Sequence, residues 1–468
     1  MENTAKKTQL KSEMGLMGGV SLIAGVMIGS GIFMSPQTVM RNIGSPGASL
    51  VIWAAGGVLS MLGSLSYAEL GTVIRESGGK YIYILRTSGN LMGFIFAFTT
   101  LFVVRPSSMC GLALSFGQNA VAPFYEDCEP PTLVVKSVAA CGLVFLAIMN
   151  CLNVRFSMAI TMVLTAAKFL ALLVISIGGV FLLIHGNTAN LQNSFEGTNT
   201  NINIIGKTFY QCLWAYDGWS VLNSVTEELK RPEVNLPRAL MIAIPMVTIL
   251  YLLVNVSYLA AMTPREMMAS SAVAVTWGNK VMGSWGWVMS IAAALSSLGS
   301  LNGSFFSGGR VCFVAAREGH MPNILAMAHV RRLTPAPALI FTTIISLIVL
   351  IPGDFQGIVN FFSFTAWFFY GVTIAGLLYL KIKFPELPRT YTVPIFIPIL
   401  VLLASVFLVL APIVDKPQLE YLYVTIFILS GALIYIPLIH YKLCPHLLDK
   451  LTVFLQLFLE VAPADKNV

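Results

Sequence analysis

Gly25-Val26-Met27-Ile28-Gly29-Ser30-Gly31-Ile32-Phe33 lies in the middle of the first long apolar run of a 468-residue chain, where a membrane helix should be most regular. Three glycines and a serine favour unwinding there, since a helix-interior glycine costs about 1 kcal/mol relative to alanine. In hydrocarbon, the freed backbone groups must find partners or face a cavity. The stretch therefore reads either as a broken helix whose bare amides take an anionic ligand group at mid-membrane, or as a small-residue face for close helix packing.

The surrounding chain is 56% hydrophobic and only 10% charged, with a mean hydropathy of +0.80. That composition excludes a soluble domain and describes one polytopic all-α membrane unit. Spans need about 20 apolar residues each. Twelve runs qualify, at 15–40, 48–74, 82–118, 132–152, 157–184, 203–228, 239–262, 282–314, 338–352, 356–380, 392–413 and 419–440. A polar tail at 1–14 and a cytoplasmic C-terminal tail at 442–468 are expected to flank them, with no cleavable signal peptide after Met1.

Basic residues set the orientation. With both termini cytoplasmic, only Arg41, Lys136, Lys207, Arg265, Lys280 and Lys416 fall outside, while Arg105 and Lys168 lie within spans. The rest of the 28 Lys and Arg residues fall inside. The net charge of +7 is thus a topology signal, with no implication of nucleic acid.

The sixth run carries its own interruption, Leu213-Trp214-Ala215-Tyr216-Asp217-Gly218-Trp219. A mid-helix charge costs roughly 2.5–3.5 kcal/mol on insertion scales, so Asp217 should face a cavity or a partner. The two breaks each come early in a group of five runs. That placement predicts an inverted repeat, 15–185 and 186–381, with residues 382–441 forming two added spans and the two broken helices meeting at a central site.

Two further charges fall inside spans. Arg105, in Val103-Val104-Arg105-Pro106-Ser107-Ser108, either bonds carbonyls freed by Pro106 or holds a substrate carboxylate through a bidentate pair. Lys168 sits too deep to snorkel easily and is placed to supply an internal cation. Asp217 could balance one of these charges, link transport to protons or repel wrong substrates. Trp214 is the better candidate for a gate than Trp219, because it stands inside the break. Phe361, Phe362, Phe364 and Trp367 read as packing, and Ser77-Gly78-Gly79-Lys80 as an inner turn or short re-entrant element.

No phosphate loop, metal-ligand spacing or nucleophile triad is present, so neither a cofactor nor an enzymatic reaction is expected. The sequons at Asn255 and Asn302 fall inside spans, where they are unusable. Of seven cysteines, Cys444 falls in the cytoplasmic tail and only Cys128 in a polar outer loop. With no outer partner in its own chain, Cys128 suggests an intermolecular bond.

Ile28-Gly29-Ser30-Gly31-Ile32-Phe33, Tyr67-Ala68-Glu69-Leu70, Ser77-Gly78-Gly79, Arg105-Pro106-Ser107-Ser108, Ala166-Ala167-Lys168 and Arg317-Glu318-Gly319-His320-Met321-Pro322 together resemble the light-chain subunits of heteromeric amino acid transporters. These belong to the amino acid–polyamine–organocation superfamily, with its LeuT-like five-plus-five fold. The resemblance runs from about Gly15 to Tyr441. It implies that the backbone amides of Ser30 and Gly31 bind an α-carboxylate, within a substrate-binding stretch of Ile28, Gly29, Ser30, Gly31 and Ile32. Trp214 and Ala215 would receive the α-amino group, with Trp214 as gate. Arg105, Asp217 and Ser220 complete the candidate site, Ser220 standing where relatives often have Asn.

Lys168 would replace a sodium site, making transport sodium-independent. Cys128 would bond a single-span glycoprotein heavy chain. The sixth-span break is most similar to the branch that carries cystine and pairs with the heavy chain rBAT, at an apical plasma membrane, and a dimer of such heterodimers is compatible. The expected substrates are L-aspartate, L-glutamate or L-cystine. Neutral or cationic amino acids exchanged with cystine are the alternative, and a non-transporting sensor or trafficking partner is the alternative from another class. Ala366 stands where the anionic cystine/glutamate exchanger carries an Arg, so an acidic side chain would need another cation.

Overall fold

The computed structural model describes residues 15–76, 78–126, 128–224, 226, 229–307, 309–331, 334–414, 418–443 and 445–463. The N-terminal tail, Ser77, Lys416 and Cys444 of the sequence reading lie outside these residues. The protein is almost entirely helical. In chain order the helices are α1 (Leu16–Met27), α2 (Gly31–Ile43), α3 (Pro46–Val73), α4 (Lys80–Ser88), α5 (Asn90–Thr99) and α6 (Arg105–Val121). Then follow α7 (Thr132–Leu152), α8 (Val154–Ile184), α9 (Ile202–Tyr216), α10 (Val221–Ser224), α11 (Pro232–Ala261), α12 (Pro264–Ala269) and α13 (Val273–Val281). The last seven are α14 (Trp287–Ser307), α15 (Gly309–Arg317), α16 (Ala336–Leu350), α17 (Phe355–Lys383), α18 (Phe396–Val414), α19 (Leu419–Tyr435) and α20 (Pro445–Leu459).

Among the described residues, nine helices are long and apolar enough to cross a membrane, and α1 with α2 forms a tenth candidate, bent by 50°. Of the other expected runs, α16 is apolar but has only 15 residues, and α9 stops at 15 residues where its break begins. The run expected at 82–118 divides. Gly89, at φ 90°, ends α4, and the long span starts at Asn90 and continues to Phe124. Within it, α5 and α6 are joined by a π-helical turn at Thr100–Val104, immediately before Arg105. The run expected at 282–314 also divides, into α14 and α15.

The tail from 442 is not featureless. It forms α20 and a strand β2 (Val461–Pro463), antiparallel to β1 (Met327–His329) with Ala328 opposite Ala462. Three residues of alternating pattern are too few to signal a strand from sequence alone.

The core explains why the spans stay together without a hydrophobic drive between them. Small and hydroxyl residues face inward, where close approach and interhelical hydrogen bonds replace hydrophobic gain. Ser115 Oγ and Ser297 Oγ lie 2.8 Å apart between α6 and α14. Asn302 Oδ1 accepts from Asn150 at 2.7 Å and from Ser157 at 3.0 Å, tying α14 to α7 and α8. Asn302 and Asn255 are both buried, so neither sequon is available for glycosylation.

A second polar anchor holds the segment after α17. Glu69 on α3 is fully buried. Its carboxylate meets Lys381 Nζ at 2.9 Å and Arg389 Nε at 3.3 Å, and accepts the Val393 amide at 3.4 Å.

Candidate functional site: the junction of two helix breaks

The first break opens where α1 ends. Ile28 takes an extended conformation (ψ 99°) while its amide still bonds Ala24, and Ser30 caps the start of α2. The opening amides of α2, at Gly31 and Ile32, have no acceptor inside the helix and point along the positive end of its dipole. An anionic group is what such a terminus attracts.

Carbonyls at the break, and that of Ile32, which Pro36 leaves without an amide partner in α2, are taken up by side chains from three other helices. Lys168 Nζ on α8 donates to Gly25 O at 3.1 Å and to Ser300 Oγ on α14 at 3.2 Å. Ser296 Oγ donates to Gly29 O at 3.2 Å. On α11, the Tyr251 hydroxyl lies 2.9 Å from Met27 O and 2.8 Å from Ala215 O, and the Tyr258 hydroxyl donates to Ile32 O at 3.2 Å. Lys168 thus places a cation on the last turn of α1, where exposed carbonyls and the helix dipole both favour positive charge.

The second break follows Tyr216, as Asp217 turns extended (ψ 144°) and Gly218 takes φ 106°. α10 resumes for four residues. The two breaks touch through Gly31 and Ala215. A Cβ on Gly31 would fall 2.4 Å from Ala215 Cα, so only glycine fits there. Trp214 closes the junction: its Nε1 donates to Ser30 Oγ at 2.9 Å. The ring lies edge-on to Phe362, 5.0 Å between centroids, and to Phe355 at 6.1 Å. Gly111 of α6 leaves room for it, since a Cβ there would sit 2.9 Å from the indole. Two clefts open elsewhere, one between Gly71, Arg75 and Glu233 and an apolar one around Val144 and Ile344, and neither lining includes a residue of the breaks.

Ile28, Gly29, Ser30, Gly31, Ile32, Trp214, Ala215 and Lys168 are therefore brought together. Asp217 and Ser220 lie just beyond. Asp217 Oδ1 accepts from the Tyr370 hydroxyl at 3.2 Å, and Ser220 also meets that hydroxyl. Arg105 opens α6 and reaches across to α14: its Nη2 donates to Ser304 O, while Nε has no hydrogen-bond partner among the described residues. The carbonyl it binds belongs to the last turn of α14, not to the turn preceding Pro106. Cys128 is exposed with a free thiol, in the loop between α6 and α7.

The sequence reading overlooked Tyr251, Tyr258, Ser296 and Ser300. A tyrosine inside an apolar run needs a hydroxyl partner, and that is the signal that could have singled out the first two. Phe362, read from the sequence as packing, packs edge-on against the Trp214 ring.

The chain matches the amino acid permease family model over residues 15–437. It is 47% identical to the mouse b(0,+)-type amino acid transporter 1 over 464 residues, which cover 99% of this chain and 95% of the relative. It is 40% identical to the human cystine/glutamate transporter over 467 residues, covering 99% and 93%. It is 42% identical to the rat large neutral amino acids transporter small subunit 2 over 411 residues, covering 87% and 77%. All three are transporters and none is an enzyme. With its bent first span, interrupted sixth segment and end-to-end likeness to these proteins, the chain belongs to the amino acid permease family, among the light subunits of heteromeric amino acid transporters.

Proposed function

We propose that this chain is the sodium-independent transporting subunit of a disulfide-linked heterodimer that exchanges L-aspartate, L-glutamate or L-cystine across the plasma membrane. The observation that carries the reading is the junction itself. Two helix breaks meet at Gly31 and Ala215, and Trp214 closes over Ser30 from the second break. The amides of Gly31 and Ile32 fit a substrate α-carboxylate, and the carbonyls of Trp214 and Ala215 an α-ammonium. Twelve spans in a LeuT-like five-plus-five arrangement, both termini cytoplasmic, account for these breaks by placing each in the first span of its repeat.

Lys168 supports sodium independence, since its ammonium already holds Gly25 O and Ser300 Oγ, the kind of oxygens a bound cation would use. Arg105 supports an acidic or cystine substrate, because Nε has no acceptor among the described residues. Cys128 supports the covalent partner, a single-span glycoprotein of the rBAT type, which would also direct apical sorting.

Transport follows as alternating access. A bound amino acid completes the acceptors and donors of both breaks, Trp214 seals the site, and the halves then reorient around it. Exchange flux from proteoliposomes across a panel of internal and external amino acids tests this. Trans-stimulated, sodium-independent aspartate or cystine uptake is expected, and uptake restricted to leucine or arginine would sink the acidic assignment. Cys128→Ser should abolish the high-mass band on a non-reducing gel, and its persistence would refute the linkage.

A further inference from the structure

Lys80 is the first residue of α4, directly after Gly78 at φ 130° and Gly79 at φ 58°. A helix N-terminus is the wrong place for a cation, because the dipole and the free amides are both positive there. The Lys80 side chain is offset by what it faces. Its Nζ lies 3.8 Å from the centroid of the Tyr370 ring, and the hydroxyl of that same ring donates to Asp217 Oδ1 at 3.2 Å. The Tyr370 ring thus lies between the two charges.

The series is rigidly held. The Tyr370 ring stacks on Trp219 at 4.7 Å and meets the edge of Tyr67 at 6.0 Å. It also borders the candidate site, since Asp217 lies two residues beyond Ala215, whose backbone touches Gly31. Lys80 and Asp217 are both partly buried residues, while their neighbours Tyr81, Tyr216 and Trp219 are fully buried.

A lone carboxylate at the lip of the site would draw a substrate with a cationic side chain and repel an anionic one. A fixed ammonium opposite it removes that bias. We propose that Lys80 is a specificity-determining residue: by neutralising Asp217 across Tyr370, it excludes cationic amino acids from the site and permits anionic ones. The inference deepens the exchanger reading above and rests on it.

The test uses the full chain, in the complex in which it purifies, reconstituted in proteoliposomes. Uptake of arginine and of aspartate is each measured as a ratio to leucine, so that loss of protein or of turnover cancels. Lys80→Met should raise the arginine-to-leucine ratio at least tenfold. Asp217→Asn should raise the aspartate-to-leucine ratio and leave arginine poor. The double variant should return the arginine ratio to within threefold of the unaltered protein. A purely structural pair would lower all three uptakes together and leave the ratios within twofold, which overturns the proposal. If Lys80→Met does not fold, Asp217→Asn decides alone, and an unchanged aspartate ratio overturns it. An unaltered protein that prefers arginine to leucine also overturns it. One that carries leucine but no aspartate sinks only the acidic assignment, because the arginine ratio still reads the role of Lys80.

Discussion

Trp214 and Ser30 join the two helix breaks through a single hydrogen bond, Nε1 to Oγ at 2.9 Å, in a buried setting. The donor belongs to the candidate gate and the acceptor to the residue that caps α2. Any displacement of Trp214 from the junction must therefore break a contact with the residue that precedes α2. A side-chain hydrogen bond of this kind contributes about 1 kcal/mol net.

Trp214→Phe keeps an aromatic ring against Phe362 and removes the bond. Exchange should continue with a several-fold higher KM. Ser30→Ala should give a similar loss, and the double variant no more than either alone, because both remove the same contact. Additive losses in a double-mutant cycle would show that the two residues act separately.

Gly31→Ala should abolish exchange and lower thermal stability, with Ala215→Gly giving no rescue. The reason is that the new methyl meets the Ala215 Cα, at 2.4 Å, as well as its Cβ at 2.5 Å. Melting of the detergent-purified complex checks this. A Gly31→Ala protein with unaltered melting and full flux would contradict the close approach. The same geometry means that a bulky residue at 31 disturbs packing as well as ligand access, so it cannot isolate the binding role.

Glu69→Gln should cost about 3–5 kcal/mol, the usual penalty for leaving buried charge without its partner. Lys381 and Arg389 both rely on that carboxylate. The loss should appear as reduced surface expression and a lower melting temperature. A Glu69→Gln, Lys381→Met double variant should recover part of it.

His320, in the segment following α15, is buried and its Nδ1 lies 2.7 Å from the Tyr81 hydroxyl. Burial lowers its pKa below the ordinary value of about 6.5, with Glu318 opposing the shift. The unfolded chain therefore binds the proton more readily than the folded one. The stability from neutral His320 is present above about pH 6.5 and is lost as pH falls through the lower folded value. Melting temperature should fall on acidification, and His320→Gln should flatten that part of the profile.

Much of this was legible in the residues. Gly29-Ser30-Gly31 and Trp214 through Gly218 announced two breaks because small residues and a charge are poorly matched to a lipid-facing helix. α7 falls at the run expected at 132–152, since unbroken hydropathy fixes a span when nothing interrupts it. What hydropathy could not resolve were divisions made by single glycines, as at Gly89, and contacts made by residues far apart in the chain. Tyr251 looks like one more apolar position in α11 until α1 and α9 are folded against it. The pairing of β1 with β2 brings together segments more than 130 residues apart, with no periodic pattern to announce it.

The Tyr251 hydroxyl is a donor with one proton and two waiting acceptors, Met27 O and Ala215 O. At any instant only one of those carbonyls is bonded, and the other is near enough to inherit the proton by a small rotation. When one break draws away from the other, the hydroxyl need not be left without a partner, because it keeps whichever carbonyl stays within reach. A movement at the junction that kept either carbonyl in reach would then leave no unsatisfied donor at Tyr251 in the membrane core.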